Sequence, residues 1–338
     1  MMQKATRLSQ ALNEHLWCIS PSAFASMREV LEGIESGAAP VALQRSEQAV
    51  PYLVEGIGDT RRTPYATASR RGTHEQARSV LIVEVSGTIF PKGPSELLRV
   101  FGGVSLSEIV GVIRRGVADP NVGSIIAVFD SPGGMVAGVP EAAAEIRSLR
   151  GTKPMSAIAN FQAASAAYYL AAQFDEVVAS PSSSLGSIGV VAQYASEGAA
   201  LEKAGIAVQT LKYPDKKAEA DGISPLSQEA VAFRMAQIKR VYAQFVSDLV
   251  RGRRRPHSQV ENDFGRGRSL DAKAAVKVGM ADRMATLESV IAEHVNGKAR
   301  RSPAFRSHVA AMNERAVELP RGARTAAWLR ERWNLAAN

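Results

Sequence analysis

The chain has 338 residues, 46% of them hydrophobic and 22% charged, which is the composition of a globular protein with a sizeable buried core and appended ends. Its one cysteine, Cys18, excludes an internal disulfide framework and a cysteine-rich metal site, and the first thirty residues lack the basic-then-apolar layout of a secretion signal. The net charge of +8 is concentrated at one end: residues 298–338 hold nine Lys or Arg and three Glu, a surplus of six. A nucleic-acid contact therefore rests on that tail alone, and a solvated extension is the preferred reading of it.

Residues 1–35 carry an apolar pattern (Leu8, Leu12, Leu16, Trp17, then Phe24, Met27, Leu31) that predicts two short helices broken at Ser20-Pro21. Residues 36–78 are rich in Gly, Pro, Thr and Arg and read as a linker or loosely held arm. A compact domain is expected over 79–294, and a basic tail that orders on a partner over 295–338.

Within the domain, 80–85 is a β-branched run read as a buried strand, and Ser105 with Glu108 forms a capping-box pattern ahead of a helix that stops at Asp119-Pro120. A second buried strand, 124–129, runs into Asp130-Ser131-Pro132-Gly133-Gly134 and then a helix over 139–149. The unit recurs as strand 154–159, helix 164–173 and strand 176–179, then as strand 190–193, helix 197–204 and strand 207–212. Such alternation predicts an α/β domain with largely parallel strands. A long amphipathic helix follows over 226–251, and the arginines at its end (Arg251, Arg253, Arg254, Arg255) suit the negative end of a helix dipole better than a DNA surface. The most apolar window, 157–179, is interrupted by Asn160, Gln162, Gln173, Asp175 and Glu176, so it is read as core and no membrane span is expected.

Three turns and a lysine-bearing loop hold the chemistry. Ser165 lies in Phe161-Gln162-Ala163-Ala164-Ser165-Ala166-Ala167-Tyr168, one hydroxyl among small and apolar residues. A serine attacks a carbonyl only when a base takes its proton and donors hold the oxyanion. The five histidines all lie outside the strand-turn-helix units, which weakens a Ser-His-Asp triad, whereas Lys212, Lys216 and Lys217 follow the last expected strand. A lysine serves as base once burial lowers its pKa towards about 7 or 8. Gly133 and Gly134 open a helix after a strand, so their amides are free to face an anion, with the Ala166 amide as second donor. Ser187, in Gly186-Ser187-Ile188-Gly189, is placed to orient the lysine.

The set formed by residues 129–134, 153–172, 185–191 and the lysine loop resembles the S49 family of serine peptidases, the signal peptide peptidase A group and its bacteriophage relatives, over about residues 80–285. The resemblance implies a ClpP/crotonase-like fold, Ser165 as nucleophile, Ser187 as the residue holding the base, and Gly133, Gly134 and Ala166 as the oxyanion hole. Registering on Pro225-Leu226-Ser227 selects Lys217 over Lys216 as general base. No metal and no cofactor is implied. Leu16 to Pro21 resembles the leader of phage head proteases, which implies a head maturation or scaffold-processing protease acting on scaffold, portal or head proteins. The fold's resemblance to ring-forming peptidases implies a homo-oligomer, and the phage resemblance implies one working in the bacterial cytoplasm or inside proheads. The alternatives are a cytoplasmic peptidase degrading small peptides and a catalytically silent capsid scaffold.

Overall fold

A computed structural model describes residues 15–35, 51–54, 62–64, 79–92 and 96–300. Thirteen strands follow one another as β1 (Trp17–Ile19), β2 (Tyr52–Val54), β3 (Arg62–Pro64), β4 (Ser79–Ser86), β5 (Ile89–Phe90), β6 (Val104–Ser105), β7 (Val122–Ser131), β8 (Gly133–Met135), β9 (Met155–Ala164), β10 (Glu176–Ala179), β11 (Ser184–Gly186), β12 (Ser269–Asp271) and β13 (Arg283–Met284) among the described residues. The main sheet runs β12-β11-β9-β7-β4-β2-β3, with β10 also on β9 and β13 on β10. Its centre is parallel, β4 with β7, β7 with β9, and β9 with both β10 and β11. A smaller sheet, β1-β8-β5-β6, sits beside it.

The apolar runs of β4 and β7 are buried on both faces, as a parallel sheet between layers requires. On one face Leu81, Val83, Ile125, Ala127 and Phe129 pack under the helices Leu106–Ala118, Val139–Ser148, Ala166–Ala171 and Gln228–Arg253. On the other, Val80, Ile82, Ile126 and Val128 meet Tyr52 and Val54 of β2 and Val290 and Val295 of the helix Leu287–Val295. This is the α/β class that the alternation predicts. Strand β9 divides its pairing: residues 156–159 face β10, while Gln162 to Ala164 face β11. That split carries Ser165 out at the end of β9, between two diverging strands.

Several local expectations come out differently. Residues 17–19 are a strand and not the end of a helix, because both of their edges find hydrogen-bonding partners, whereas the helix after Ser20 runs Pro21–Glu35 as expected. Strand β2 pairs onto β4, so part of the expected arm extends the main sheet. Residues 190–193 contribute only one bridge, Val191 to Trp17, and residues 207–212 are exposed and form no strand. Ser105 does stand before the helix Leu106–Ala118, yet its hydroxyl bonds Ser107 at 3.0 Å instead of a helix amide. The first expected helix up to residue 14, most of the expected arm (36–50, 55–61 and 65–78) and the tail from 301 lie outside the described residues. The arginine run is structural: buried Arg253 donates to Asp282 at 2.7 Å and to the Gly279 carbonyl, and Arg251 donates to Asp248.

On the face away from Ser165, His294 is buried with Nε2 2.9 Å from the Ser156 hydroxyl. Burial first, and the Arg283 charge second, lower its pKa from 6.5 to about 4. Between those values the unfolded chain takes up a proton that the folded chain refuses, so stability falls as pH drops through that window. Urea unfolding is expected to lose about 2 kcal/mol between pH 7 and 5 from this residue, at about 1.36 kcal/mol per unit. His294→Leu should flatten that slope, and an unchanged slope would refute the assignment.

Candidate active site

Ser165 occupies the strand-to-helix turn between β9 and the helix Ala166–Ala171, with φ 53 and ψ −115. A non-glycine residue there stores about 1–3 kcal/mol of strain, so the surroundings must over-determine it. They do. The Ser165 amide donates to the Gly186 carbonyl at 2.6 Å, its carbonyl accepts from the Tyr169 amide at 2.8 Å, and the helix behind it is buried over its whole length. Tyr168 donates to the Met280 carbonyl at 3.0 Å and Tyr169 to Asp248 at 2.6 Å, while the Tyr169 ring stacks on Phe245 at 4.2 Å.

The C-terminal end of this helix is held by Arg150. Its guanidinium donates to the carbonyls of Ala172 at 3.0 Å, Gln173 at 2.5 Å, Phe174 at 2.5 Å and Gly252 at 3.1 Å. Burial lowers its pKa to about 10, which leaves the cation intact at neutral pH.

Gly133 and Gly134 form β8 beside the turn. Gly133 has φ 101, and a Cβ built on it would stand 3.0 Å from the Ala166 amide nitrogen, so the glycine turn and the amide after Ser165 converge on one spot. A Cβ on Gly134 would meet the Ile89 carbonyl oxygen at 1.9 Å, a backbone contact that only glycine avoids. The hydroxyl of Ser131 accepts from the Gly133 amide at 3.2 Å and donates to the Gly87 carbonyl at 2.6 Å, which pins the turn. Ser187 lies next to Ser165 through the Ala164/Gly186 pairing and shares its φ of 53. The Ser165 hydroxyl itself points to the Gly189 carbonyl at 3.5 Å, a long contact.

The structure thus brings Ser165, Ala166, Gly133, Gly134 and Ser187 together; it does not bring Lys217 to them. Lys217 sits in the short 3-10 turn Asp215–Ala218, exposed, while Ser165 has no exposed surface. Lys216 is engaged with Glu229, with Glu219 at 3.4 Å and with Asp215 at 3.7 Å, and the hydrogen bond to Glu229 raises its pKa. Those partners favour the charged ammonium, the wrong form for a base. The only histidine in contact with a core serine among the described residues is His294, on Ser156.

Sequence reasoning missed what lies over the site. Strand β1 runs antiparallel to β8, with Cys18 opposite Gly134, and the Cys18 thiol lies against the Ser165 hydroxyl. The available signal was the short apolar run Leu16 to Ile19 closed by Ser20-Pro21, which fits a strand as well as a helix end. A cleft of about 390 Å³ opens beside the turn, lined by Ile188, Gly189, Val190, Tyr242 and Arg266, and it does not reach Ser165.

Residues 147–300 match Peptidase family S49. The matched segment holds Ser165, Ser187 and Lys217, though not the Gly133-Gly134 turn. The chain is similar to "Capsid assembly protease C" of Escherichia phage lambda, 30% identical over 57% of this chain and 47% of that one. It is also similar to "Head-tail preconnector protein GP5" of Enterobacteria phage P21, 27% identical over 71% of this chain and 48% of that one. "Putative signal peptide peptidase SppA" of Enterococcus faecium is 25% identical over 63% of this chain and 62% of its own. This chain spans about half the length of the two phage relatives. Among solved structures, a ClpP1 mutant from Listeria monocytogenes superposes with a TM-score of 0.37 and 13% identity, covering 62% of this chain and 94% of that one. No helix among the described residues is long and apolar enough to cross a membrane.

Proposed function

We propose that this chain is a serine endopeptidase in which Ser165 is the nucleophile, the amides around Gly133, Gly134 and Ala166 hold the oxyanion, and Lys217 is the base, oriented by Ser187. The observation that carries the reading is the strained turn at Ser165, φ 53, set on a buried helix with the glycine turn against the Ala166 amide. Strain at a functional serine is worth keeping only where its hydroxyl must be presented at a fixed point. Lys217 is preferred to Lys216 because Lys216 is already committed to three carboxylates.

Lysine becomes a base only when its amine is stripped of water. Lys217 reaches that state when its arm is covered, and the arm has the surface to be covered: Leu211 is 88% and Tyr213 94% exposed, with Ile206, Val208, Val231 and Phe233 nearby in sequence also out in solvent. A second copy of this chain covers it, making self-association a condition of activity. Leu211→Asp with Tyr213→Asp is expected to leave a folded monomer with at least tenfold lower cleavage. A double variant that assembles and cleaves like the wild type would overturn this step.

The substrates are extended segments of protein, and the names of the phage relatives point to head proteins as their source. Co-expression with candidate scaffold, portal and major head proteins tests the assignment. Specific cleavage lost in Ser165→Ala supports it, and intact head proteins beside efficient cleavage of short peptides would favour a small-peptide peptidase instead.

A further inference from the structure

Strand β1 lies where a peptide would have to lie to meet Ser165. Its two edges are both hydrogen-bonded: the Ser20 amide donates to the Pro132 carbonyl at 2.8 Å and the Val136 amide to the Leu16 carbonyl at 3.0 Å. On the other edge Trp17 and Val191 exchange amide-to-carbonyl bonds of 2.9 and 2.8 Å. In an antiparallel ladder every second pair is bonded, so the Cys18/Gly134 pair, midway between Leu16/Val136 and Ser20/Pro132, is a bonded one. The Gly134 amide is therefore turned to the Cys18 carbonyl. The same carbonyl oxygen stands 2.2 Å from a Cβ built on Gly133, with the Ala166 amide 3.0 Å from that point.

A carbonyl held by the glycine turn, in an extended segment bonded on both sides, with its residue against the serine hydroxyl, is the arrangement of a bound peptide. Here the chain supplies it. Ser165 is fully buried in consequence, and the Cys18 thiol, its pKa pushed up to about 12 by burial, stays neutral. The segment is anchored by Trp17, whose ring meets Phe24 at 5.6 Å and Phe90 at 6.3 Å. Trp17 and Ile19 belong to a small cluster with Phe24, Met27, Leu31 and Met135, while Cys18 between them packs into the main core. β1 is the edge strand of the smaller sheet, so its departure breaks its ladder with β8 and the Val191 bridge and leaves the β8-β5-β6 pairing and the main sheet intact.

We propose that residues 16–20 are a resident strand in the peptide slot of the Ser165 site, and that an extended apolar segment of a protein substrate enters by displacing it. The inference rests on Ser165 being the nucleophile. While the strand is seated, the hydroxyl and its oxyanion donors are closed to any substrate. Displacement exposes the slot between β8 and Val191 and Ser165 together.

Cys18 is the one cysteine of the chain, so its alkylation reports on the opening without any mutation. A maleimide adduct is too large to return to a site that is 1% exposed, which leaves the slot open. Full-length protein fully alkylated with N-ethylmaleimide is expected to cleave unfolded casein at least tenfold faster than the untreated protein. Trp17→Ala should raise Cys18 alkylation and casein cleavage in parallel, and an added peptide of residues 14–22 should inhibit that variant competitively. Alkylated protein and a folded Trp17→Ala variant that cleave no faster than wild type, with all cleavage lost in Ser165→Ala, would overturn the resident strand and leave the nucleophile standing. Cleavage that survives Ser165→Ala would overturn the nucleophile, and this inference with it.

Discussion

Ser165→Ala is expected to reduce protein cleavage by at least about 10³-fold while leaving thermal stability within about 1 kcal/mol of the parent. The loss follows from chemistry: without the hydroxyl no acyl intermediate forms, and the oxyanion donors at Gly133, Gly134 and Ala166 have nothing to act on. Stability is retained because alanine keeps the packing at the head of the helix Ala166–Ala171, and among the described residues the Ser165 hydroxyl donates to a backbone carbonyl only through the long 3.5 Å contact to Gly189. Lys217→Ala should cost about 10²–10⁴-fold, the usual contribution of a general base. Lys216→Ala should cost far less, since its charge is spent on Glu229, Glu219 and Asp215. A reversed order between the two lysines, measured as kcat/KM on one fluorogenic peptide, would move the base to Lys216.

Arg150→Ala is expected to lower stability by about 3 kcal/mol in urea unfolding. Four buried carbonyls, at Ala172, Gln173, Phe174 and Gly252, lose their donor at once. Those of Ala172, Gln173 and Phe174 lie at the end of the helix whose start presents Ser165, and that of Gly252 in the helix Gln228–Arg253 beside it, so the turn at Ser165 should loosen and cleavage should fall with stability. Arg150→Lys should recover only part of the loss, because one ammonium cannot span the carbonyls that a planar guanidinium reaches. Wild-type stability in Arg150→Ala would show that water replaces the guanidinium without cost, contrary to this account.

The central sheet was legible because its strands are short β-branched runs between glycine and proline turns. The run 176–179 matches strand β10 to the residue, and the runs at 80–85 and 124–129 sit inside β4 and β7. The approach of Ser165 and Gly133 has a related reason: each comes soon after a buried strand expected from the sequence, and parallel strands bring such ends to one edge, whereas Ser187 follows β11, for which the sequence offered no strand signal. The apolar alternation at Ile206, Val208 and Leu211 misled, since it identifies side chains that favour burial without identifying what buries them; within this chain they stay exposed. Local spacing places Trp17 in a helix, but β1 is decided by pairing with Gly133 to Met135 and with Val191, more than a hundred residues away. The local run fits a strand as well as a helix end, and only the distant partners decide between them.

The most direct test of the central claim is a search for the covalent intermediate. Lys217→Ala protein, alkylated at Cys18 to keep the slot open, is incubated with the p-nitrophenyl ester of a blocked apolar peptide, whose good leaving group lessens the need for a base. Deacylation still needs one, so the acyl group should accumulate. Tryptic mass spectrometry is predicted to find the acyl mass on the peptide carrying Ser165, and to find none in the same protein with Ser165→Ala. An acyl group on another residue, or cleavage of protein substrates that persists without Ser165, would contradict the account.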